Sequence, residues 1–346
     1  MKYIISAEEN GKSVKEILQS VGLSAAHIKH LKFLDDGIVL NGSRVTVRKT
    51  VAEGDLLELA VEDREDGERL TPTEHPLNII YEDEGIIVPS KPPFMPTHPS
   101  HLHHGDTLAD ALAFRYMSQG MPFVFRPVNR LDRNTSGLTI VAKDRISASR
   151  LTASMRDGRI AKQYIAVLDG ELPDDEGVIE TYMKRTEASI IVRQNCSADE
   201  GGDYALTRYK TLLREGGHTL VLASPITGRT HQLRVHFSHL GYPILGDDLY
   251  GVESPMIHRH ALHALSVSVP MPFSHVREDV RQKAIPFTGC EEELGLNTPT
   301  PDGFLHVWAP LPADMETVIS TLFPHSEVLS PRPTVGLLRA LTLSEK

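Results

Sequence analysis

The stretch Phe125–Ala142, FRPVNRLDRNTSGLTIVA, constrains this chain more than any other. One carboxylate, Asp132, stands between Arg130 and Arg133. Asn134, Thr135, Ser136 and Gly137 follow, and Asn, Ser and Gly favour a tight turn. The β-branched, apolar run Leu138–Ala142 then reads as a strand. The pattern puts an acid on a loop entering a strand, flanked by two guanidinium groups. The ordinary reading of such an Asp is a salt-bridged turn. The density of arginine and turn chemistry around it points to more.

Composition bounds the alternatives. At 346 residues the chain is long enough for roughly two domains. No apolar run approaches the ~18 residues of a membrane span. The opening MKYIISAEENGK has no apolar signal core, so a cytoplasmic location is expected. Cys196 and Cys290 are too few for a disulfide framework or a four-thiolate metal site, which suits a reducing compartment. A net charge of −10 argues mildly against a nucleic-acid partner. The distribution argues back: Arg126 to Lys162 holds nine Lys or Arg against three Asp. The acidic surplus collects in Glu62–Glu68, Glu82–Glu84 and Glu171–Glu176. An anionic partner stays in play.

Residues 12–61 read as a compact unit. Val14, Ile17 and Leu18 recur at helical spacing, with Gly22 as a stop. Ser24 can cap a second helix carrying Ile28, Leu31 and Leu34. Asn41-Gly42 is a hairpin turn between short strands, and Leu56–Val61 is a last strand. Lys29 and Lys32 lie about one turn apart, the usual mark of a solvated face. The charged stretch 62–76 reads as a linker.

A second unit starts near Leu77, with strands at Ile79–Tyr81 and Ile86–Val88. Prolines 92, 93, 96 and 99 forbid helix in the next loop, which holds His98, His101, His103 and His104. No cysteine is near and no helical pair spacing occurs, so zinc is disfavoured. A loop whose imidazoles meet phosphate or base is the better expectation. Asp106 or Thr107 then caps a helix.

Ile146–Met155 is an amphipathic helix. In the strand IAKQYIAVL, residues 160–168, Lys162 and Tyr164 share a face. Strands at 177–184, 189–193, 204–213 and 219–223 follow as antiparallel meanders rather than βαβ units. In PITGRTHQLRVHFSHLGYPILGDDLYG, Thr230 can cap a helix burying Leu233, Phe237 and Leu240, with Arg234 at its edge. Arg229, His231, Arg234 and His236 within eight residues are too many for a bland face. Residues 272–303 read as an insertion and 326–346 as a loose tail.

Two resemblances organise these parts. The pattern SVKEIL…GLSAAHIKHLKFLDDGIVLNG…VAEGDLLEL resembles the small RNA-binding domain of the S-four type, named after a small-subunit ribosomal protein. By that resemblance Lys29, Lys32, Arg44 and Lys49 are RNA-binding candidates. RLDRNTSGL, KQYIAVLDG and the long motif from Pro225, with SKPPFMPTHPS upstream, resemble the RluA-like pseudouridine synthases of the ribosomal large-subunit type. The likeness implies an α+β fold: a catalytic domain with a mixed, largely antiparallel sheet and flanking helices around a central cleft, plus the small α+β domain. The expected division is 1–61 for the small domain, 62–76 for the linker, 77–325 for the catalytic domain and 326–346 for the tail.

The resemblance further implies isomerisation of uridine to pseudouridine in structured RNA by a monomer, without cofactor, metal or membrane. The expected substrate is 23S ribosomal RNA, with transfer RNA as the alternative. It makes Asp132 the group acting on the ribose, Arg234 its ion-pair partner and Tyr164 the residue stacking on uracil. Arg130 fills the space the flipped base leaves, and Arg133, Lys162, Arg229 and His231 are further RNA contacts. One position departs from the family's His-Arg-Leu-Asp: here the first residue is Asn129. A non-catalytic RNA-binding protein on the same fold is disfavoured because Asp132, Tyr164 and Arg234 are all present. A glycoside hydrolase is disfavoured because the neighbours are cationic where a second acid would be needed.

Overall fold

The computed structural model describes residues 2–326 except 22, 24, 61–69, 101, 190 and 271–302. The expected stop at Gly22, the cap at Ser24, most of the 62–76 linker, His101, Cys290, nearly all of the 272–303 insertion and the 326–346 tail lie outside the described residues.

The first part of the chain forms β1 (Lys2–Ile4), α1 (Val14–Ser20), α2 (Ala25–Leu31), β2 (Ile38–Leu40), β3 (Ser43–Arg44) and β4 (Leu56–Leu59). Helix α1 starts where Ser13 and Glu16 exchange hydrogen bonds in a capping box. Asn41 and Gly42 both take positive φ, 49° and 77°, the conformation a two-residue hairpin needs. The four strands pair antiparallel in the order β1-β4-β2-β3. Val14, Ile17, Leu18, Ile38, Leu57 and their neighbours bury a core of their own, joined by Ile146 from later in the chain.

The remaining elements build around one large sheet. They are β5 (Asn78–Glu82), β6 (Ile86–Lys91), α3 (Leu108–Met117), β7 (Ser136–Leu138), β8 (Val141–Ala142), α4 (Arg145–Arg156), β9 (Ala161–Asp169), β10 (Glu176–Arg185), β11 (Arg193–Cys196), β12 (Asp203–Glu215), β13 (His218–Pro225), α5 (Gln232–His239), β14 (Leu262–Pro270), β15 (Phe304–Trp308) and α6 (Ala313–Leu322). The main strand order is β11-β10-β12-β13-β9-β14-β7-β6-β5, with β15 on β14 and β8 on β6. The described pairings are antiparallel except β14 with β7, which makes the sheet mixed. Leu233 and Phe237 of α5 and Met315 and Ile319 of α6 pack into one core with Tyr164–Leu168 and Leu220–Ala223.

Three local expectations need correction. The strand expected at 189–193 begins only at Arg193, because the Ser189 hydroxyl accepts the amides of Ile191 and Val192 and holds a turn there. Thr230 does not cap α5. The Gln232 side chain accepts the Arg229 amide and the Thr227 hydroxyl, closing a turn that puts His231 at the cap position with φ of 59°. Leu240 ends the helix half-exposed, while Arg234, read as an edge residue, is buried.

Candidate active site

Asp132 sits on the turn that leads into β7. The Thr135 amide closes it on the Asp132 carbonyl at 3.1 Å. Backbone carbonyls here have no sheet partner, so side chains satisfy them. Thr97 Oγ1 donates to the Leu131 carbonyl at 2.9 Å. The buried Lys91 ammonium donates to the carbonyls of Pro92, Met95 and Arg133. From the other side Arg259 Nη1 reaches the Asn134 carbonyl at 3.1 Å, while its Nε and Nη2 grip Asp314 at the start of α6. Gly137 has φ of 110°, and a Cβ there would lie 2.2 Å from the Ala264 carbonyl oxygen. Only glycine lets β7 approach β14 in parallel register.

Asn129 finds its reason in the same frame. Its Oδ1 accepts the Ile140 amide at 2.7 Å and its Nδ2 donates to the Leu138 carbonyl at 3.2 Å. It bridges the strand that follows the Asp132 turn. A primary amide supplies both a donor and an acceptor in one plane, which a neutral imidazole offers only at opposite ring edges.

Around the carboxylate lie two cationic or imidazole groups. Asp132 Oδ2 is 3.7 Å from Arg234 Nη1 and 3.9 Å from His231 Nε2. The Asp132 side chain keeps 27% of its exposure, so a substrate can reach it. Arg234 itself is nearly buried and makes its strongest bonds elsewhere. Its Nε and Nη2 meet both oxygens of Asp247 at 2.7 Å, Asp248 lies at 3.3 Å, and the Tyr250 ring stacks beneath at 5.1 Å. The expected Asp132–Arg234 pairing is therefore the weaker half of a shared arginine. Burial alone would lower the Arg234 pKa, but the hydrogen bonds and charge of Asp247 outweigh it and raise it. Asp247, also buried, is held below its ordinary value by the same bonds.

His231 Nδ1 lies 2.8 Å from Tyr250 Oη, which also accepts the Arg193 amide at 2.8 Å. Burial depresses the His231 pKa, and Nε2 faces Asp132 at 3.9 Å. Tyr164 is buried on β9, and its phenol pKa is raised, by burial first and by the Asp132 charge second. It stays a phenol.

The structure thus brings together Asp132, Tyr164, His231 and Arg234. Lys162 is also in the wall, buried, with its pKa lowered by desolvation. Arg130, Arg133 and Arg229 are exposed nearby in sequence and space. Lys29, Lys32, Arg44 and Lys49 are exposed on the four-stranded unit, outside this cluster. In the histidine loop, His103 Nδ1 bonds Asp106 at 2.6 Å and His98 packs on Phe125. Among the described residues no group of three or more His, Cys, Asp or Glu is placed to hold a metal ion.

Sequence reasoning did not single out Lys91, Thr97, Asp247, Tyr250, Arg259, His260 or His263. Asp247 and Tyr250 had a signal: they stand in GDDLYG, two carboxylates and a phenol between glycines. The others bond backbone carbonyls or, for His260 and His263, the Thr135 and Ser136 hydroxyls of distant segments, which leaves no periodicity to read.

Comparison with known proteins identifies the family. Residues 85–239 match the family model for RNA pseudouridylate synthase. The chain is 35% identical over 262 residues to the uncharacterized RNA pseudouridine synthase YjbO of Bacillus subtilis, covering 76% of this chain and 92% of that one. It is 31% identical to the ribosomal large subunit pseudouridine synthase D of Pseudomonas aeruginosa, covering 82% and 87%. A solved structure, human RNA pseudouridylate synthase domain containing 4, superposes with a TM-score of 0.50 at 20% identity, covering 70% of this chain and 91% of that one, and speaks for the fold alone.

Proposed function

Because the chain belongs to the RluA-like family of RNA pseudouridine synthases, we propose that Asp132 is the group that acts on the ribose of a target uridine, with 23S ribosomal RNA as the substrate. The enzyme is an isomerase. Its reaction breaks the bond from uracil N1 to ribose C1′, turns the base, and rejoins it through C5. The C5 proton leaves and N1 gains one, so atoms balance without a co-reactant. Asp132 either adds to C1′ or takes a ribose proton. Both roles need an ionised carboxylate in a pocket shielded from water, and that needs a fixed cation.

The observation that carries the reading is the partly open Asp132 carboxylate facing a rigidly held guanidinium at 3.7 Å. Arg234 cannot swing onto the carboxylate and neutralise it, because Asp247 pins it. The Asp132 oxygens stay open for chemistry while Arg234 supplies a fixed positive charge beside them. His231 adds an imidazole nitrogen on the same side. Tyr164, kept protonated, supplies a flat ring against which the freed uracil can turn. Removal of the base from its stack costs a few kcal/mol. The exposed Arg130 guanidinium, two residues before Asp132, suits the vacated gap as a stacking plane. Arg133, Lys162 and Arg229 are read as contacts to the same RNA.

The reading includes a cytoplasmic monomer, which the sparse cysteine usage suits. It also gives residues 1–61 an RNA-binding task, supported by the exposed Lys29, Lys32, Arg44 and Lys49 on one small unit. Mapping pseudouridines in total RNA from cells lacking the gene, complemented with wild type or Asp132→Asn, tests it. Wild type should restore at least one site, in 23S ribosomal RNA, that the variant does not, while the variant still binds RNA. Activity in Asp132→Asn would overturn the mechanism; a restored site only in another RNA would overturn the substrate.

A further inference from the structure

The hairpin of β10 and β11 carries a violation of ordinary sheet chemistry. Arg185 and Arg193 stand directly opposite each other in the antiparallel register. Directly opposed residues leave the sheet on the same side, with Cβ atoms about 5 Å apart, and like charges placed so are destabilising. Arg193 Nη1 donates to the Ile191 and Val192 carbonyls, while among the described residues no carboxylate pairs with Arg185. Arg185 therefore faces a like charge with no acid beside it.

Both arginines line a pocket of about 330 Å³ that also takes in Arg130, Lys184 and Arg229. Arg130 likewise has no ion-pair partner among the described residues. Lys184 is paired with Glu200 at 2.6 Å, and Arg229 is 3.7 Å from Asp203, the single acid in the lining. Behind the pocket wall at Gly228 lies a further cation. The Lys162 ammonium is 3.7 Å from where a Cβ on Gly228 would be, is nine-tenths buried, and has no hydrogen-bond partner among the described residues. Among the described residues, cations converge on a cavity lined by one carboxylate, and the buried ammonium behind it has no counter-ion. An anion completes that arrangement.

We infer that this pocket binds backbone phosphodiester groups of the RNA strand that carries the target nucleotide. This rests on the reading of the chain as an RNA-modifying isomerase. The position fits: Arg130 is two residues from Asp132, and Gly228–Thr230 lead into His231. The hairpin is also tied to the catalytic wall, since the Arg193 amide bonds Tyr250, which bonds His231. A phosphate seated between Arg185 and Arg193 relieves their repulsion and holds the strand beside the carboxylate.

The test uses the full chain and a labelled single-stranded oligouridylate. Arg185→Gln, Arg193→Gln and a control, Arg156→Gln on α4, are compared with wild type for affinity against salt and for thermal midpoint without RNA. Each pocket substitution should weaken binding and flatten the log–log salt slope by about 0.7, the value for one phosphate contact on a single strand. The control should leave the slope unchanged. Without RNA, Arg185→Gln should melt at or above the wild-type temperature, because repulsion is gone. Unchanged slopes, equal loss in the control, or a lowered melting temperature in Arg185→Gln overturns the pocket. Wild type that binds as expected yet forms no pseudouridine in total RNA from cells lacking the gene would overturn the activity reading and leave the pocket standing.

Discussion

Arg234 answers to three carboxylates of unequal claim, Asp247, Asp248 and Asp132. Asp247 holds it with two bonds of 2.7 Å, and Asp132 meets its remaining edge at 3.7 Å. A guanidinium presents its donors in a fixed fork, so one arginine can be pinned by one acid and still face another. The arrangement makes Asp247 a positioning residue. Asp247→Asn removes the compensating charge from a buried guanidinium, and breaking such a pair costs about 3–5 kcal/mol. Urea unfolding should show a loss of that order together with a fall in pseudouridine formation. Unaltered stability would mean that Asp247 does not hold Arg234. Asn129 teaches a related lesson at the same scale. It departs from the family's usual residue, yet it satisfies an amide and a carbonyl that would otherwise be orphaned beside the Asp132 turn.

The Asp132 turn is an element held from outside itself. It leads into β7, the short strand that pairs in parallel with β14, and histidines at the start of β14 and just before it fasten the two together. Thr135 Oγ1 lies 2.7 Å from His260 Nε2, and Ser136 Oγ lies 2.9 Å from His263 Nδ1. Burial depresses both imidazoles, His263 to about 3 and His260 well below its ordinary value. His236 on α5, bonded to Thr181 and Thr207, is pushed by burial to about 4. The unfolded chain titrates near 6.5. Above that pH both states are neutral and no stability is lost. As pH falls below about 6.5 the unfolded chain takes up protons that the folded chain refuses. Stability therefore drops by about 1.4 kcal/mol per pH unit for each such histidine, until the folded pKa is reached. Unfolding free energies measured between pH 6 and 4 should fall steeply. His263→Gln should flatten that slope by roughly one histidine's share, about 1.4 kcal/mol per unit. An unchanged slope would show that His263 is not neutral in the fold.

Across the whole molecule, charge is divided by place. The chain is acidic overall, with a net charge of −10, yet cations gather around Asp132 and on the outer face of the first unit. Phe33 is 77% exposed directly after Lys32. An aromatic ring beside lysines on an open surface suits stacking on an unpaired base. Ile146 of α4 sits in the core of the first unit, so the two sheets are coupled by packing. Removing that unit would expose Ile146, and charge neutralisation is the cleaner probe. The triple variant Lys29→Gln, Lys32→Gln, Lys49→Gln should bind structured RNA more weakly and lose roughly one unit of salt slope per lysine that touches phosphate. Its melting temperature should stay at the wild-type value. Unchanged affinity and slope would remove the RNA-binding task from residues 1–61.

By itself the chain's sequence determined what local chemistry can write. Turn residues Asn41-Gly42, the periodicity of α1 and α4, and the meander from β9 to β13 are set by neighbours a few positions apart. Asp132, Tyr164 and Arg234 stood out as candidates because their motifs are distinctive and stand in a recognisable order. Only the tertiary structure decided what those groups touch. Arg234 belongs first to Asp247, Asn129 clamps backbone, and Lys91, Arg259 and His260 secure a turn from segments far away in sequence. Those contacts satisfy single buried polar atoms whose partners are chosen by geometry alone, and no pattern of spacing records them. The opposed pair Arg185 and Arg193 is of the same kind: two ordinary arginines in sequence, and two like charges facing one pocket once β10 and β11 are in register.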